Sequence, residues 1–304
     1  MNNTVFSALP GRRAGNSGRS QERFRRSAPG RSSQALRGPI SLIAGFFLAL
    51  SLSPALANCN AEPEPGINWF NCELGDRDLS GADLTRALMS RIKADGIRLD
   101  GATLESAVLT NASLNQASLV EVSGRRADFG SSSMLGADLR KARLQGARFT
   151  SARLTGADFR EADLRDARLD GANLNDARLD QTLLSGSRFY NAEMRDANLE
   201  GSVLQGANLS QSNLEGANLE GADLRDADLS RAMLENARFQ GANLHGANLD
   251  RASLAGADFT GADLSRANLR SADISGTVFE GARLGNTIWI DRRPCRRGSV
   301  GICD

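Results

Sequence analysis

The chain has 304 residues, of which 37 are basic, 36 are acidic, one is histidine and four are cysteine, and its formal net charge is +1. This nearly balanced charge suits an ordinary soluble surface and argues against nucleic-acid binding. One histidine and four cysteines also leave few of the side chains from which enzymes build nucleophilic sites.

The first 57 residues have the layout of a secretory signal. Residues 1–38 contain eight arginines and one acidic residue, 40–53 are mostly apolar, and 54–57 read Pro-Ala-Leu-Ala, an A-x-A processing site. We therefore expect a disordered leader that is cleaved after Ala57, and a protein exported to the periplasm, an equivalent lumen or the extracellular space. The alternatives are an uncleaved anchor, a start codon placed too far upstream, and lipidation of Cys59 in a poor lipoprotein motif.

A five-residue repeat runs from Leu74 to Trp289. Of the 44 positions at this spacing, 30 are Leu and 7 are Phe, and 32 of the 44 positions two residues earlier are Ala. Residues two apart share a face when the backbone is extended, so each pentad predicts a short inward-facing strand followed by a two-residue corner. A repeat of this kind predicts a solenoid with Ala and Leu inside.

The phenylalanines of the repeat predict how many pentads form one coil. All seven are separated by multiples of ten residues, which places them on two opposite sides if four pentads make one coil. The 44 pentads then form about eleven coils, roughly 50 Å long at the usual spacing between strands. The seven are Phe129, Phe149, Phe159, Phe189, Phe239, Phe259 and Phe279.

The pentads resemble those of the pentapeptide-repeat family. The segments 216–220 (Gly-Ala-Asn-Leu-Glu) and 256–260 (Gly-Ala-Asp-Phe-Thr) carry its A-(D/N)-L-x-x unit, and the resemblance covers residues 74–289 in one phase. It implies an all-β fold, a right-handed quadrilateral β-helix. Ala94 and Gly124 depart from the pattern by replacing the central Leu, and we expect bulges or a slight bend near them.

Both ends of the repeat are predicted to be capped, at 58–73 and 290–304, with Trp69, Phe70 and Trp289 placed to cover the core. The four cysteines allow three pairings. Because the ends of such a rod lie far apart, only the pairs within each end are feasible, and a four-thiolate metal site is not. We expect disulfides between Cys59 and Cys72 and between Cys295 and Cys303, in keeping with an oxidising compartment.

The sequence offers no catalytic, cofactor or metal site. His245 directly follows a core Leu, so it is predicted to point outward, and no nucleophile set can be built from it. The many Asp and Asn residues are explained by bonds to the backbone beside turns. We therefore expect a protein that is not an enzyme and needs no cofactor.

Stacked coils would align outward residues twenty positions apart into rows, which are the candidate interaction sites. Arg148, Arg168 and Arg188 would form a basic row. Leu183 with Val203, and Leu88 with Val108, would form outward apolar pairs. The alternative is that drift among the repeats produced these rows by chance. An acidic row on the opposite side would comprise Asp180, Glu200 and Glu220.

These features predict an exported, non-enzymatic rod that acts as a structural spacer or a protein-interaction scaffold. Without the leader's eight arginines and one acidic residue, 29 basic and 35 acidic residues remain, a net charge of about −6. We expect an unidentified protein partner, no nucleic acid, no membrane contact after cleavage of the signal, and a monomer or homodimer.

The family resemblance implies one alternative function. Some pentapeptide-repeat proteins mimic DNA and inhibit or protect a type II topoisomerase in the cytoplasm. Mimicry requires dense negative charge, and often a dimer built through a C-terminal helix. This chain is only weakly acidic, carries an arginine row and ends in a cysteine-bounded loop containing Pro294, so the alternative is disfavoured.

Overall fold

The computed structural model describes residues 57–304, and the predicted leader with its apolar stretch at 40–53 lies outside the described residues, apart from Ala57. Over the described range the chain forms no helix, and hence none suited to crossing a membrane. Every strand within residues 57–304 is a single bridge residue. These bridge residues lie at 68 and every fifth position to 288, and each is separated from the next by a two-residue turn.

The bridges define a coil of twenty residues. Every parallel bridge joins a residue to the one twenty positions later, from Asn68–Leu88 to Asn268–Ile288. The predicted four pentads per coil are therefore confirmed, and the 220 residues from 68 to 287 make eleven coils. We name the four sides by their outward bridge residues. The first wall starts at Asn68, the second at Glu73, the third at Asp78 and the fourth at Asp83, each continuing in steps of twenty.

The Leu, Phe and Ala registers fill the interior, and nearly all of their side chains are fully buried. The phenylalanines stack along the first and third walls, as their spacing predicted: the rings of Phe129 and Phe149 are 4.9 Å apart and nearly parallel. Phe159 on the third wall meets Phe149 edge to face at 5.9 Å. Such burial contributes roughly 1.5–3 kcal/mol for each large side chain.

Two devices shape each corner. The second corner residue has a positive φ, as at Lys141 (57°) and Gly146 (67°), which turns the chain sharply between walls. The outward Asp or Asn before the corner accepts a hydrogen bond from the amide two residues later, as Asp83 does from Thr85 at 3.0 Å. These side chains therefore satisfy backbone donors that the ladder leaves unpaired.

The expectation of a bulge near Gly124 is wrong. The bridges of Ser123 to Thr103 and Arg143 keep the register unbroken. A Cβ atom at position 124 would lie 3.0 Å from Cδ2 of Leu144, so this leucine already fills the space that a core side chain would occupy. The missing leucine is absorbed by packing without a change of register, and the register is equally unbroken at Lys93, beside Ala94.

At the N-terminal end the coil begins one pentad earlier than predicted. Trp69 is in register with Leu74 and is fully buried, and Asn68 already bridges to the next coil. Phe70, expected to cover the core, is 47% exposed, and the guanidinium of Arg91 lies 5.8 Å from its ring centre. Cys72 occupies the Ala register and is joined to Cys59, which ties residues 58–66 to the first coil.

At the C-terminal end the chain reverses after residue 290 and pairs antiparallel with the last coil. Pro294 bridges Ile288 on the first wall, and Val300 bridges Arg283 on the fourth wall. A disulfide between Cys295 and Cys303 closes this cap. Both cap disulfides are compatible with an oxidising compartment.

Candidate interaction surfaces

The predicted basic row is continuous on the first wall. Arg148 bridges Arg168, which in turn bridges Arg188, so the three exposed side chains lie one coil apart. Their charges are partly neutralised: Nε of Arg148 is 3.6 Å from Asp128, and Nε of Arg188 is 3.4 Å from Asp170. Nε of Arg168 also lies 3.8 Å from Asp170, so two carboxylates serve the three guanidinium groups.

The acidic row lies at the corner that follows the third wall, where side chains of neighbouring coils form hydrogen bonds and ion pairs with its carboxylates. Asn198 donates to Asp180 at 3.1 Å. Arg238 pairs with Glu220 at 2.8 Å. The row is therefore largely engaged within the protein, and it offers a partner less unsatisfied charge than the basic row does.

The outward apolar residues form separate patches. Leu183 bridges Val203 on the fourth wall, while Leu88 bridges Val108 on the first wall. Exposed apolar patches of this size are common on monomeric proteins and do not by themselves identify a binding site. Sequence reasoning missed four further exposed apolar residues on the coils, whose outward registers could have identified them: Tyr190, Met233, Val278 and Ile288.

Sequence reasoning also missed a local ion-pair motif, in which an outward Asp is followed two positions later by Arg. Arg225 pairs with Asp223 at 2.6 Å, and Arg160 pairs with Asp158 at the same distance. The side-chain hydrogen bond from Arg225 holds the pKa of Asp223 below its usual value. The i, i+2 spacing was visible in the sequence, but the corner that brings the two side chains together was not.

A polar groove of about 510 Å³ lies beside Gly124. Its mixed charges give no clear preference for a ligand of either sign. The groove is lined by Glu105, Ser106, Arg125, Arg126, Gln145, Gly146 and Asp166.

His245 is half-buried at a corner of the fourth wall, where its amide donates to Asn243 at 3.1 Å. Among the described residues no group of His, Cys, Asp or Glu is arranged to hold a metal ion.

Acid is expected to destabilise the coil through the corner carboxylates. Hydrogen bonds from Thr85 lower the pKa of Asp83, and those from Ser80 and Ser275 do the same for Asp78 and Asp273. When the pKa of a carboxyl group is lower in the folded state than in the unfolded state, the group stabilises the fold at pH values above its unfolded pKa, about 3.9. That stabilisation is lost as the pH falls through the folded-state pKa. The melting temperature, measured by circular dichroism, should therefore fall most steeply below about pH 4.

A matched variant separates this effect from general acid denaturation. Asparagine does not titrate, and it already makes the same bond elsewhere: the side-chain oxygen of Asn248 accepts a hydrogen bond from the backbone amide of Asp250 at 3.2 Å. Replacing Asp78, Asp83 and Asp273 by Asn should flatten the melting profile between pH 4 and pH 2. An equally steep profile in the variant would contradict the assignment.

Two family models match the chain. The one described as pentapeptide repeats matches residues 89–123, 97–133, 202–241 and 247–286, and the one described as a pentapeptide repeat region matches 142–219. Together they account for most of the coiled part. No curated protein matches the chain.

Several solved structures are also similar. HetL of the cyanobacterium Nostoc sp. strain PCC 7120, involved in heterocyst differentiation regulation, is 30% identical over 77% of this chain and 94% of its own, with a TM-score of 0.27. A pentapeptide repeat protein of the Arabidopsis thaliana thylakoid lumen is 35% identical over 33% of this chain and 66% of its own, with a TM-score of 0.26. QnrB1, a plasmid-mediated fluoroquinolone resistance protein, is 18% identical over 68% of this chain and 90% of its own, with a TM-score of 0.30.

Proposed function

The chain belongs to the pentapeptide-repeat family and forms its right-handed quadrilateral β-helix, and from this premise we propose that it is an exported, non-enzymatic rod that serves as a spacer or a scaffold for binding other proteins. The observation that carries the proposal is the fixed presentation of outward side chains. A bridge holds each row in place, so Arg148, Arg168 and Arg188 keep a constant spacing of one coil. A rigid surface of this kind binds a partner without the cost of ordering its own loops.

The cap disulfides also support the proposal. All four cysteines are paired within the caps, in keeping with a compartment outside the reducing cytoplasm. The cysteines are engaged in disulfides, so they offer no free thiolate as a nucleophile. The proposal therefore assigns the function to surfaces and assigns no reaction to the chain.

Cell fractionation combined with intact-mass measurement tests where the protein acts. The expected mass is that of a chain starting at Asn58, less four hydrogens for the two disulfides. The protein should appear in the periplasmic or extracellular fraction. A full-length cytosolic protein with free thiols would overturn the proposed export, and it would favour the alternative role at a cytoplasmic type II topoisomerase.

Charge reversal of the basic row tests the scaffold. Replacing Arg148, Arg168 and Arg188 by Glu should abolish the recovery of proteins that crosslink to the wild type in its native compartment, because the row would then repel acidic partners. The matched control reverses three exposed arginines on three different walls, which do not stack. Equal loss of crosslinked partners in both variants would show that the row has no special role. The control arginines are Arg143, Arg153 and Arg178.

A further inference from the structure

The C-terminal cap covers only half of the last coil. Its two antiparallel segments lie on the first wall, through Ile288 and Pro294, and on the fourth wall, through Arg283 and Val300. No described residue bridges the second and third walls of this coil at Asp273 or Val278 from the C-terminal side. The end of the β-helix is thus closed on two adjacent sides and open on the other two.

The open half is an unpaired β-edge. One coil earlier, the amides of Leu254 and Phe259 donate to Asp273 and Val278 at 2.8 Å. The equivalent groups of the last coil find no partner among residues 57–304. Unpaired backbone groups that retain strand geometry form a template for another strand. They are the amides of Ile274, Gly276, Phe279 and Gly281 and the carbonyls of Ala272 and Thr277.

The open half is also apolar. Ile274 and Phe279 are only partly buried, whereas Leu254 and Phe259, directly beneath them, are fully buried. Val278 points outward on the same edge and is 43% exposed. Covering this edge would complete the interior packing as well as the hydrogen bonding, and both contribute to binding.

The cap gives the edge different chemistry at its two ends. The carbonyl of Ile290 accepts from the amide of Ser271 at 3.0 Å, at the corner where the second wall begins, and the exposed Arg292 follows two residues later. At the far corner Gly301 lies beside the carbonyl of Phe279, and the next residue, Ile302, is 71% exposed. Arg293 is paired with Asp291, but the described residues provide no ion-pair partner for Arg292, Arg296 or Arg297.

A second copy of the chain fits this edge poorly. The N-terminal segment meets the first wall, where the amide of Asn58 donates to the carbonyl of Asn68 at 3.3 Å, and the corner before that wall, where the amide of Gly66 donates to the carbonyl of Thr85 at 2.8 Å. Through the disulfide to Cys72 it also reaches the second wall. Both caps therefore cover the first wall. If two copies were stacked end to end with their walls aligned, the caps would collide before the open edges could meet.

We propose that this unpaired edge, formed by residues 272–281, binds an extended segment of a partner protein by β-strand addition. The segment presents apolar side chains to Ile274, Phe279 and Ile302, and a carboxylate to the cap arginines. Because the edge turns a corner at 275–276, the segment spans two walls and has about ten residues, like two pentads. The inference rests on the proposed scaffold role and names one of its binding sites.

The probe is a labelled synthetic peptide, Ala-Asp-Leu-Glu-Gly repeated twice, added to the full mature protein with both disulfides intact. Fluorescence anisotropy should detect binding that weakens with added salt, and hydrogen exchange should slow at 272–281 but not at the already paired 252–261. Val278→Glu should weaken binding at least tenfold by placing a charge on the edge. Val203→Glu, the same change at an outward position away from the edge, should leave binding unchanged.

Each other result overturns the inference. Failure of the wild-type protein to bind the peptide, or equal binding by the Val278→Glu and Val203→Glu variants, would show that the edge takes no such segment. A wild-type dimer that Val278→Glu dissociates would assign the edge to a second copy. Crosslinking of partners to the arginine row would persist in these cases, so the scaffold role would stand even though this site was wrong.

Discussion

Leu164→Asp is expected to lower the free energy of unfolding by at least about 4 kcal/mol and to melt several coils together. The Leu164 side chain is fully buried inside the fourth wall, and its amide donates to Leu183 of the next coil at 2.8 Å. An aspartate there is either charged without a partner or protonated at a large cost, and it leaves part of the leucine's volume empty. Urea unfolding followed by circular dichroism measures the loss.

Leu183→Asp is the matched control. This leucine lies on the same wall one coil later, but it points outward and is 39% exposed. The same change of side chain should alter stability by less than about 0.5 kcal/mol, because outward positions of this wall already carry Asp163 and Asp223. Equal destabilisation by the two variants would refute the division into inward and outward registers.

Removal of the N-terminal disulfide is expected to cost about 3 kcal/mol. Cys59 and Cys72 close a loop with a sequence separation of 13, and without the bond the unfolded chain gains conformational freedom. The double variant Cys59→Ser, Cys72→Ala isolates this effect, because alanine is the usual residue in the buried register of Cys72. Its melting temperature should fall by several degrees.

A reducing agent provides the control for this variant. Reduction should lower the melting temperature of the wild type by more than that of the variant, which retains only the bond between Cys295 and Cys303. If the variant melts at the wild-type temperature, the N-terminal cap does not stabilise the first coil. In that case Trp69, which is buried within this coil, would be held by packing alone.

The inward registers and the length of the coil could be predicted because both depend only on spacing along the chain. Phenylalanines separated by multiples of ten residues indicated two opposite walls, and their rings stack there. The same reasoning failed at Gly124, because it could not show that Leu144 already occupies the missing volume. It also placed the first coil at Leu74, although the buried Trp69 extends the same register by one pentad.

The outward rows were only partly predictable. Stacking at a spacing of twenty residues placed Arg148, Arg168 and Arg188 in line with Asp128. It did not show that Asp170, at a corner, also partly neutralises Arg168 and Arg188. Which carboxylate reaches which guanidinium depends on side-chain directions at each turn. A pattern of residue types does not specify those directions.

The sequence by itself determined which side chains face inward, how many pentads form a coil and how many coils there are, since all three follow from a strict period of apolar residues. Only the tertiary structure decided which walls the caps cover. The chain reversal after residue 290 sets that outcome through backbone hydrogen bonds that follow no repeat. The open edge at Ile274 and Phe279 arises for the same reason: a short cap can pair with two walls of a four-sided coil and leaves the other two without a partner in the described chain.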